Sequence, residues 1–178
     1  DISEMMLANS VALNPGVEHH VGDMRTVRLG RLFDAVIVHD AISYMLTEAD
    51  LLSTFATARA HLKPGGVFIA GPDWFRETFS GTRVTHSIRR QGDLELAFIE
   101  YETDSDPTDT VVESVFFYVI NKEGKLAVEQ DLHIMGLFPE DTWLRLIDGA
   151  GFQVEKWPCA PSDSPRQPFL LLGVLRDG

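Results

Sequence analysis

The sequence predicts an α/β domain in which a parallel sheet continues into an antiparallel β block. Three observations predict it. Phe33–Val38 and Val67–Ala70 are apolar runs without alternation, as strands covered on both faces are. Leu51, Leu52, Phe55, Ala58 and Leu62, between them, recur at the spacing of one helix face, which makes a crossover. From Arg83 to Ile134 apolar and polar residues alternate with a period of two, the pattern of antiparallel strands with one solvated face.

Each element follows from local chemistry. Ser3 caps a helix to about Leu13 with Met6, Leu7 and Val11 as its apolar face, and Asn14-Pro15-Gly16 stops it. Val17 to Val21 reads as a short strand. Thr47 caps the crossover helix, and Gly65 lies beyond its end. Four alternating segments follow, near Arg83–Arg89, Leu94–Glu102, Thr110–Ile120 and Lys125–Ile134. Asp104–Asp109 and Asn121–Gly124 are turns between them. Pro139 to Ala150 is a helix stopped by Gly151. Phe152–Trp157 and Phe169–Leu175 close the sheet across a loop rich in Pro and Ser. The whole chain, 1–178, reads as one domain, with 80–135 as an antiparallel insertion over the substrate.

The 178 residues suffice to bury a core, and 44% are hydrophobic. No apolar run approaches the ~18 residues of a membrane span. A formal charge of −12 argues against a nucleic acid or an anionic membrane as partner, since both reward clustered Lys and Arg. The lone Cys159 excludes an internal disulfide and a Cys-rich zinc site, and suits a reducing cytoplasm. The chain opens at Asp1 directly into a helical pattern, so a piece of a longer protein is expected.

Ligands of open α/β sheets bind at the carboxyl ends of the strands, where Asp23, His39, Asp40 and Asp73 fall. Taken with Gly22-Asp23-Met24, Phe33-Asp34-Ala35-Val36, His61-Leu62-Lys63-Pro64-Gly65-Gly66 and Ala150-Gly151-Phe152, the chain resembles class I S-adenosylmethionine-dependent methyltransferases. Gly71–Phe79 (GPDWFRETF) and Asp131–Phe138 (DLHIMGLF) are similar to segments of the nucleotide-sugar N,N-dimethyltransferases that make desosamine-type sugars.

The resemblance implies a Rossmann-like methyltransferase fold and S-adenosylmethionine as cofactor. It implies that Asp1 binds the ribose hydroxyls, that Asp23 accepts from the adenine amine, and that the Met24 backbone faces the ring. His39 and Asp40 would lie beside the sulfonium and the acceptor. Tyr44, Trp74 and Phe75 would wall the acceptor pocket. The glycine-rich loop that follows the first strand in this family is missing from the sequence, which places it, with the central first strand, before Asp1. The family's strand order would then leave a gap of about 14 Å between Val17–Val21 and Phe33–Val38.

Methyl transfer to an amine needs a free lone pair, so a neutral His or a carboxylate is expected to take the proton. His133 is the first candidate base and His39 the second. Arg166, before the last strand, is a candidate for a diphosphate. The partner expected is a small-molecule methyl acceptor, and a homodimer stays open. A small-molecule O-methyltransferase and a non-catalytic remnant of the fold are the alternatives. Tyr118 and Lys122 spell the Tyr-x-x-x-Lys pair of short-chain dehydrogenases, but a β-branched run rather than a helix carries them. Asp104-Ser105-Asp106 lies in an acidic turn, and the six histidines have no zinc-ligand spacing, so no metal is expected.

Overall fold

The computed structural model describes residues 1–159 and 169–176. In chain order the elements are α1 (Glu4–Leu13), β1 (Phe33–His39), a single 3-10 turn (Ala41–Tyr44) and α2 (Glu48–Ala60). Then come β2 (Leu62–Gly71), β3 (Arg83–Gln91), β4 (Leu94–Thr103), β5 (Val111–Lys122) and β6 (Lys125–Gly136). The chain closes with α3 (Glu140–Gly149), β7 (Phe152–Pro158) and β8 (Phe169–Leu175).

Two four-stranded sheets result. The first has the order β1-β2-β8-β7, with β1 and β2 parallel and the other pairs antiparallel. Val36 lies opposite Phe68, as expected of adjacent parallel strands. The expectation that both faces of β1 are covered fails: Ile37 is 65% exposed. Among the described residues β1 is an edge strand, and its outer edge carries no ladder partner. Val17–Val21 forms no strand. Two bonds tie this stretch to the start of the chain, from the Asp1 amino terminus to the His20 carbonyl and from Gly22 N–H to the Asp1 carbonyl, too few to define a ladder.

The core lies between the first sheet and α2 and α3. Phe68 packs against Phe55 and Phe152 at ring separations of 5.5 and 5.6 Å. Trp143 of α3 reaches Phe55, Phe75 and Phe138, tying both helices to the segment after β2. Each fully buried large apolar side chain contributes about 1.5–3 kcal/mol. The two predicted caps form: Ser3 Oγ accepts from Met6 N–H, and Thr47 Oγ1 from Asp50 N–H. Leu52 departs from its predicted place and is 42% exposed, while Leu51, Phe55 and Ala58 are buried. α1 buries none of its residues, so its expected apolar face has no partner here. No helix among the described residues is long and apolar enough to cross a membrane.

The second sheet, β3-β4-β5-β6, is a continuous antiparallel meander. The β5–β6 hairpin turns on Glu123 and Gly124, both at positive φ (52° and 77°), which matches the twist of the strands. The orientation of this sheet is the reverse of what alternation suggests. One face carries cross-strand rows Arg83–Glu102–Ser114–His133 and Thr85–Glu100–Phe116–Asp131. Glu100, Glu102 and Ser114 on that face are buried. The other carries Val84–Tyr101–Val115–Leu132 and Ile88–Ala97–Val119–Val128. There Val84, Ile88, Val128 and Leu132 are all more than half exposed. In these rows buried carboxylates are turned inward and exposed aliphatic side chains outward.

Candidate active site

The site grows from the carboxyl end of β1. Asp40 N–H bonds the Gly71 carbonyl, continuing the ladder with β2 for one more residue. Asp40 then takes φ 42°, ψ −56°, which is strained for a residue with a Cβ. That reversal launches the 3-10 turn, whose last residue is Tyr44. Strain of this kind costs of order 1–3 kcal/mol and persists where the surroundings fix it. Here they do. Ser43 N–H bonds the Asp40 carbonyl, and Ser43 Oγ accepts from Asp73 N–H at the end of β2. His39 Nδ1 lies 2.6 Å from Asp40 Oδ1.

β6 meets this turn from the other sheet. Gly136, its last residue, passes so close to Met45 that a Cβ there would lie 2.1 Å from the Met45 carbonyl oxygen. That contact sets the spacing between β6 and the turn, and so brings His133 to Tyr44. Tyr44 Oη lies 2.5 Å from His133 Nδ1. The imidazole packs on Phe116 at 4.2 Å between ring centroids. Its Nε2 is buried, has no hydrogen-bond partner among the described residues, and lies 3.4 Å from Asp131 Oδ2. Burial, and the charges of Asp73 and Asp131, push the Tyr44 phenol above its ordinary value.

Trp74 also reaches the polar face of the second sheet. Its Nε1–H donates to Glu102 Oε1 at 2.8 Å, and Arg83 lies over its ring. Trp74 is buried with Val112, Met135 and Leu137. Glu102 stands in the same cross-strand row as His133, separated by Ser114. Trp74 and His133 are therefore held over one row of side chains. Phe75 points into the main core, stacked on Phe169 at 4.7 Å.

The remaining expected residues lie nearer the start of the chain. Asp1 accepts from Ser3 N–H through its carboxylate, and its carbonyl binds Gly22 N–H, which sets it beside Asp23 in space. Asp23 accepts from both the side chain and the backbone N–H of Arg25, which also grips Asp50. Arg25 holds both carboxyls below their usual range. The pairing is thus complete above the ordinary carboxylate value and is lost as the pH falls through the lowered one. Met24 packs against the core cluster. Arg166 lies outside the described residues. No group of three or more His, Cys, Asp or Glu among the described residues could hold a metal.

Glu100, Glu102 and Ser114 are site-facing residues that sequence reasoning missed. Glu100 accepts from Thr85 Oγ1 and Ser114 Oγ. Their signal was present as alternation, but alternation does not say which face is turned inward.

Comparison with known proteins places this geometry. No family model matches the chain. It is 31% identical over 163 residues to the dTDP-3-amino-3,4,6-trideoxy-alpha-D-glucopyranose N,N-dimethyltransferase of Streptomyces venezuelae, covering 91% of this chain and 68% of that protein. It is 28% identical to the dTDP-3-amino-3,6-dideoxy-alpha-D-glucopyranose N,N-dimethyltransferase of Streptomyces fradiae, with 91% and 63% covered. The chain thus spans about two thirds of the length of these relatives. The crystal structure of Streptomyces venezuelae DesVI superposes with a TM-score of 0.87 at 28% identity, over 98% of this chain and 72% of that one. SAM-bound CalS10, an amino pentose methyltransferase from Micromonospora echinaspora, gives 0.83 at 25% identity, over 98% and 71%. This chain matches these proteins over nearly all of its length. It belongs to the S-adenosylmethionine-dependent sugar N,N-dimethyltransferases of the class I methyltransferase fold.

Proposed function

We propose that this protein transfers methyl groups from S-adenosylmethionine to the amine of a nucleotide-linked amino sugar. The observation that carries the reading is the Tyr44–His133 contact at the end of β1, which offers a proton acceptor where an amine would be methylated. The curated relatives act on dTDP-linked amino sugars, which supports the same acceptor class here.

S-adenosylmethionine presents donors at its adenine and ribose and a positive charge at sulfur. Acceptor-rich segments that bear carboxylates suit such a group. In this reading Asp1, Asp23 and the Met24 backbone serve the adenosyl part, and His39 and Asp40 lie nearest the sulfonium. When bound, the cofactor supplies an electrophilic methyl. The chain's own residues align the acceptor, exclude water and take up a proton. Tyr44 and Trp74 wall the acceptor, Phe75 supports that wall from within the core, and Arg166 serves the diphosphate.

The test uses methyl-labelled S-adenosylmethionine with a dTDP-linked 3-amino sugar and with its 3-hydroxy counterpart. Label should appear on the amine-bearing sugar and not on the hydroxyl one. Label on the hydroxyl sugar would make the protein an O-methyltransferase. Failure to bind the cofactor would make it a remnant.

A homodimer built on the outward face of the second sheet belongs to the same reading. Four strands at about 4.8 Å and four residue rows at about 6.8 Å give roughly 500 Å² of flat surface, in which two apolar rows alternate with rows that carry His86 and Gln130, and Arg90, Glu95 and Asn121. A standard interface takes about 800 Å² from each partner, so this face would supply its central part. An identical face, packed sheet on sheet, pairs its apolar rows with their copies, and Arg90 and Glu95 at one end already neutralise each other. Sedimentation should give a dimer at micromolar concentration, and Val128→Asp should give a folded monomer. A monomeric parent protein would end this part of the proposal.

A further inference from the structure

We propose that the acceptor's proton leaves through Tyr44, with His133 and Asp131 behind it as a relay to solvent. Tyr44 is then the catalytic contact, and His133 a positioning residue that never touches the sugar. The inference rests on the amine-methylation reading above and replaces its simplest version, in which His133 meets the amine directly.

One imidazole nitrogen is bonded and the other is buried. Nδ1 lies 2.5 Å from Tyr44 Oη. Nε2 is buried, with the Asp131 carboxylate 3.4 Å away, and the ring is clamped on Phe116. Neither nitrogen can reach a ligand unless the ring leaves this seat. Tyr44 is different, because 47% of it is exposed. A phenol can donate one hydrogen bond and still accept another. The carboxylate beside Nε2 favours the tautomer with its proton there, which leaves Nδ1 to accept from Tyr44 Oη–H. The second lone pair of Oη is then open to an N–H of the acceptor.

The charged surroundings fit a proton carrier. Asp73 from the turn after β2, Asp131 of β6 and Tyr118 of β5 all act on Tyr44. Glu100 and Glu102 of β4 and Glu129 of β6 share the face that carries His133. Burial, with the charges of Asp73 and Asp131, keeps the Tyr44 hydroxyl protonated. It therefore passes a proton on rather than storing a negative charge. Asp131 is 66% exposed at its side chain, so the far end of the relay meets water.

The step balances as follows. The acceptor ammonium gives one proton to Tyr44 Oη as Tyr44 gives its own to His133 Nδ1. The imidazolium so formed faces Asp131. The freed nitrogen lone pair attacks the methyl carbon, forming the N–C bond as the C–S bond breaks, and that bond's electron pair stays on sulfur. His133 loses a proton to water before the next turnover. The second methylation repeats the sequence, because each transfer leaves the product amine protonated.

Two measurements decide it. In kinetic assays with S-adenosylmethionine and a dTDP-linked 3-amino sugar, Tyr44→Phe and His133→Gln should each lower kcat about 10²-fold near neutral pH, with KM little changed. The deficit should close at pH above the acceptor's own ionisation, where the amine arrives already neutral; a purely structural defect would not close. A deficit constant across pH, or a variant with full activity, overturns the relay. Histidine ¹⁵N spectra of the full chain give a readout independent of turnover. They should show His133 protonated on Nε2, with an Nδ1 signal that moves in Tyr44→Phe. Protonation on Nδ1, or no change in the variant, overturns it as well. Loss of methyl transfer in the parent protein refutes the functional reading alone, and the spectra still judge the Tyr44–His133 geometry.

Discussion

Gly136→Ala should destabilise the protein by about 3 kcal/mol and abolish most turnover, although it adds one methyl group. The added carbon would sit 2.1 Å from the Met45 carbonyl oxygen and 2.7 Å from Phe138 Cε2. A backbone oxygen cannot rotate aside as a flexible side chain would, so β6 or the 3-10 turn must move. Gly136 lies three residues beyond His133, and Met45 directly follows Tyr44. The displacement therefore falls on the 2.5 Å contact between the two. For a chain of this size such a loss lowers Tm by roughly 10 °C. Calorimetry that finds the variant within a degree or two of the parent would show that this close approach is not a constraint.

Trp143→Ala should be at least as damaging to stability, at about 3–5 kcal/mol, whereas Trp143→Phe should cost less than about 1.5 kcal/mol. The indole is 1% exposed and meets Phe55 of α2, Phe75 after β2 and Phe138 after β6. Truncation to Ala leaves a cavity where these three segments converge. Phenylalanine keeps most of the ring contact. It also removes a buried N–H that finds no hydrogen-bond partner among the described residues, so the polar loss is nil. Denaturant titration of both variants checks the contrast. Equal losses for Ala and Phe would mean that the indole N–H is satisfied after all.

Much of the architecture was legible because it is written in local patterns. The runs Phe33–Val38 and Val67–Ala70 pair in parallel with Val36 opposite Phe68. Ser3 and Thr47 cap the helices they were expected to cap. Gly151, at φ 100° just past the Ala150 C-cap, stands where a chain leaving a helix needs a left-handed residue, whereas Gly65, at φ 70°, lies inside β2 and α2 ends earlier, at His61. Val17–Val21 misled because a strand is defined by a partner edge, and no neighbouring strand in the described residues offers one. Leu52 misled because helical spacing marks a broad stripe, and it falls at the open margin of that stripe.

The site was legible only in part. Alternation correctly marked β3 to β6 as antiparallel, but a period of two is the same whichever face is turned inward. Glu100, Glu102 and Ser114 therefore looked like solvated positions, and Val84 and Val128 like core. Tyr44 and His133 are 89 residues apart, and no local pattern couples them. The approach of Gly136 to Met45 does, together with the hydrogen bond from Thr110 Oγ1 to the Leu46 carbonyl. Arg166 lies outside the described residues, so its role rests on the proposal alone.

The account turns on where an acceptor amine sits. A crystal structure with S-adenosylhomocysteine and a dTDP-linked 3-amino sugar measures this directly. The predicted result places the sugar nitrogen about 3 Å from Tyr44 Oη, with His133 still bonded behind it. It also places the sugar between the end of β1 and the row of side chains that runs from Glu102 to His133. A nitrogen held elsewhere, with Tyr44 turned to solvent or His133 swung out to meet the sugar, would contradict it.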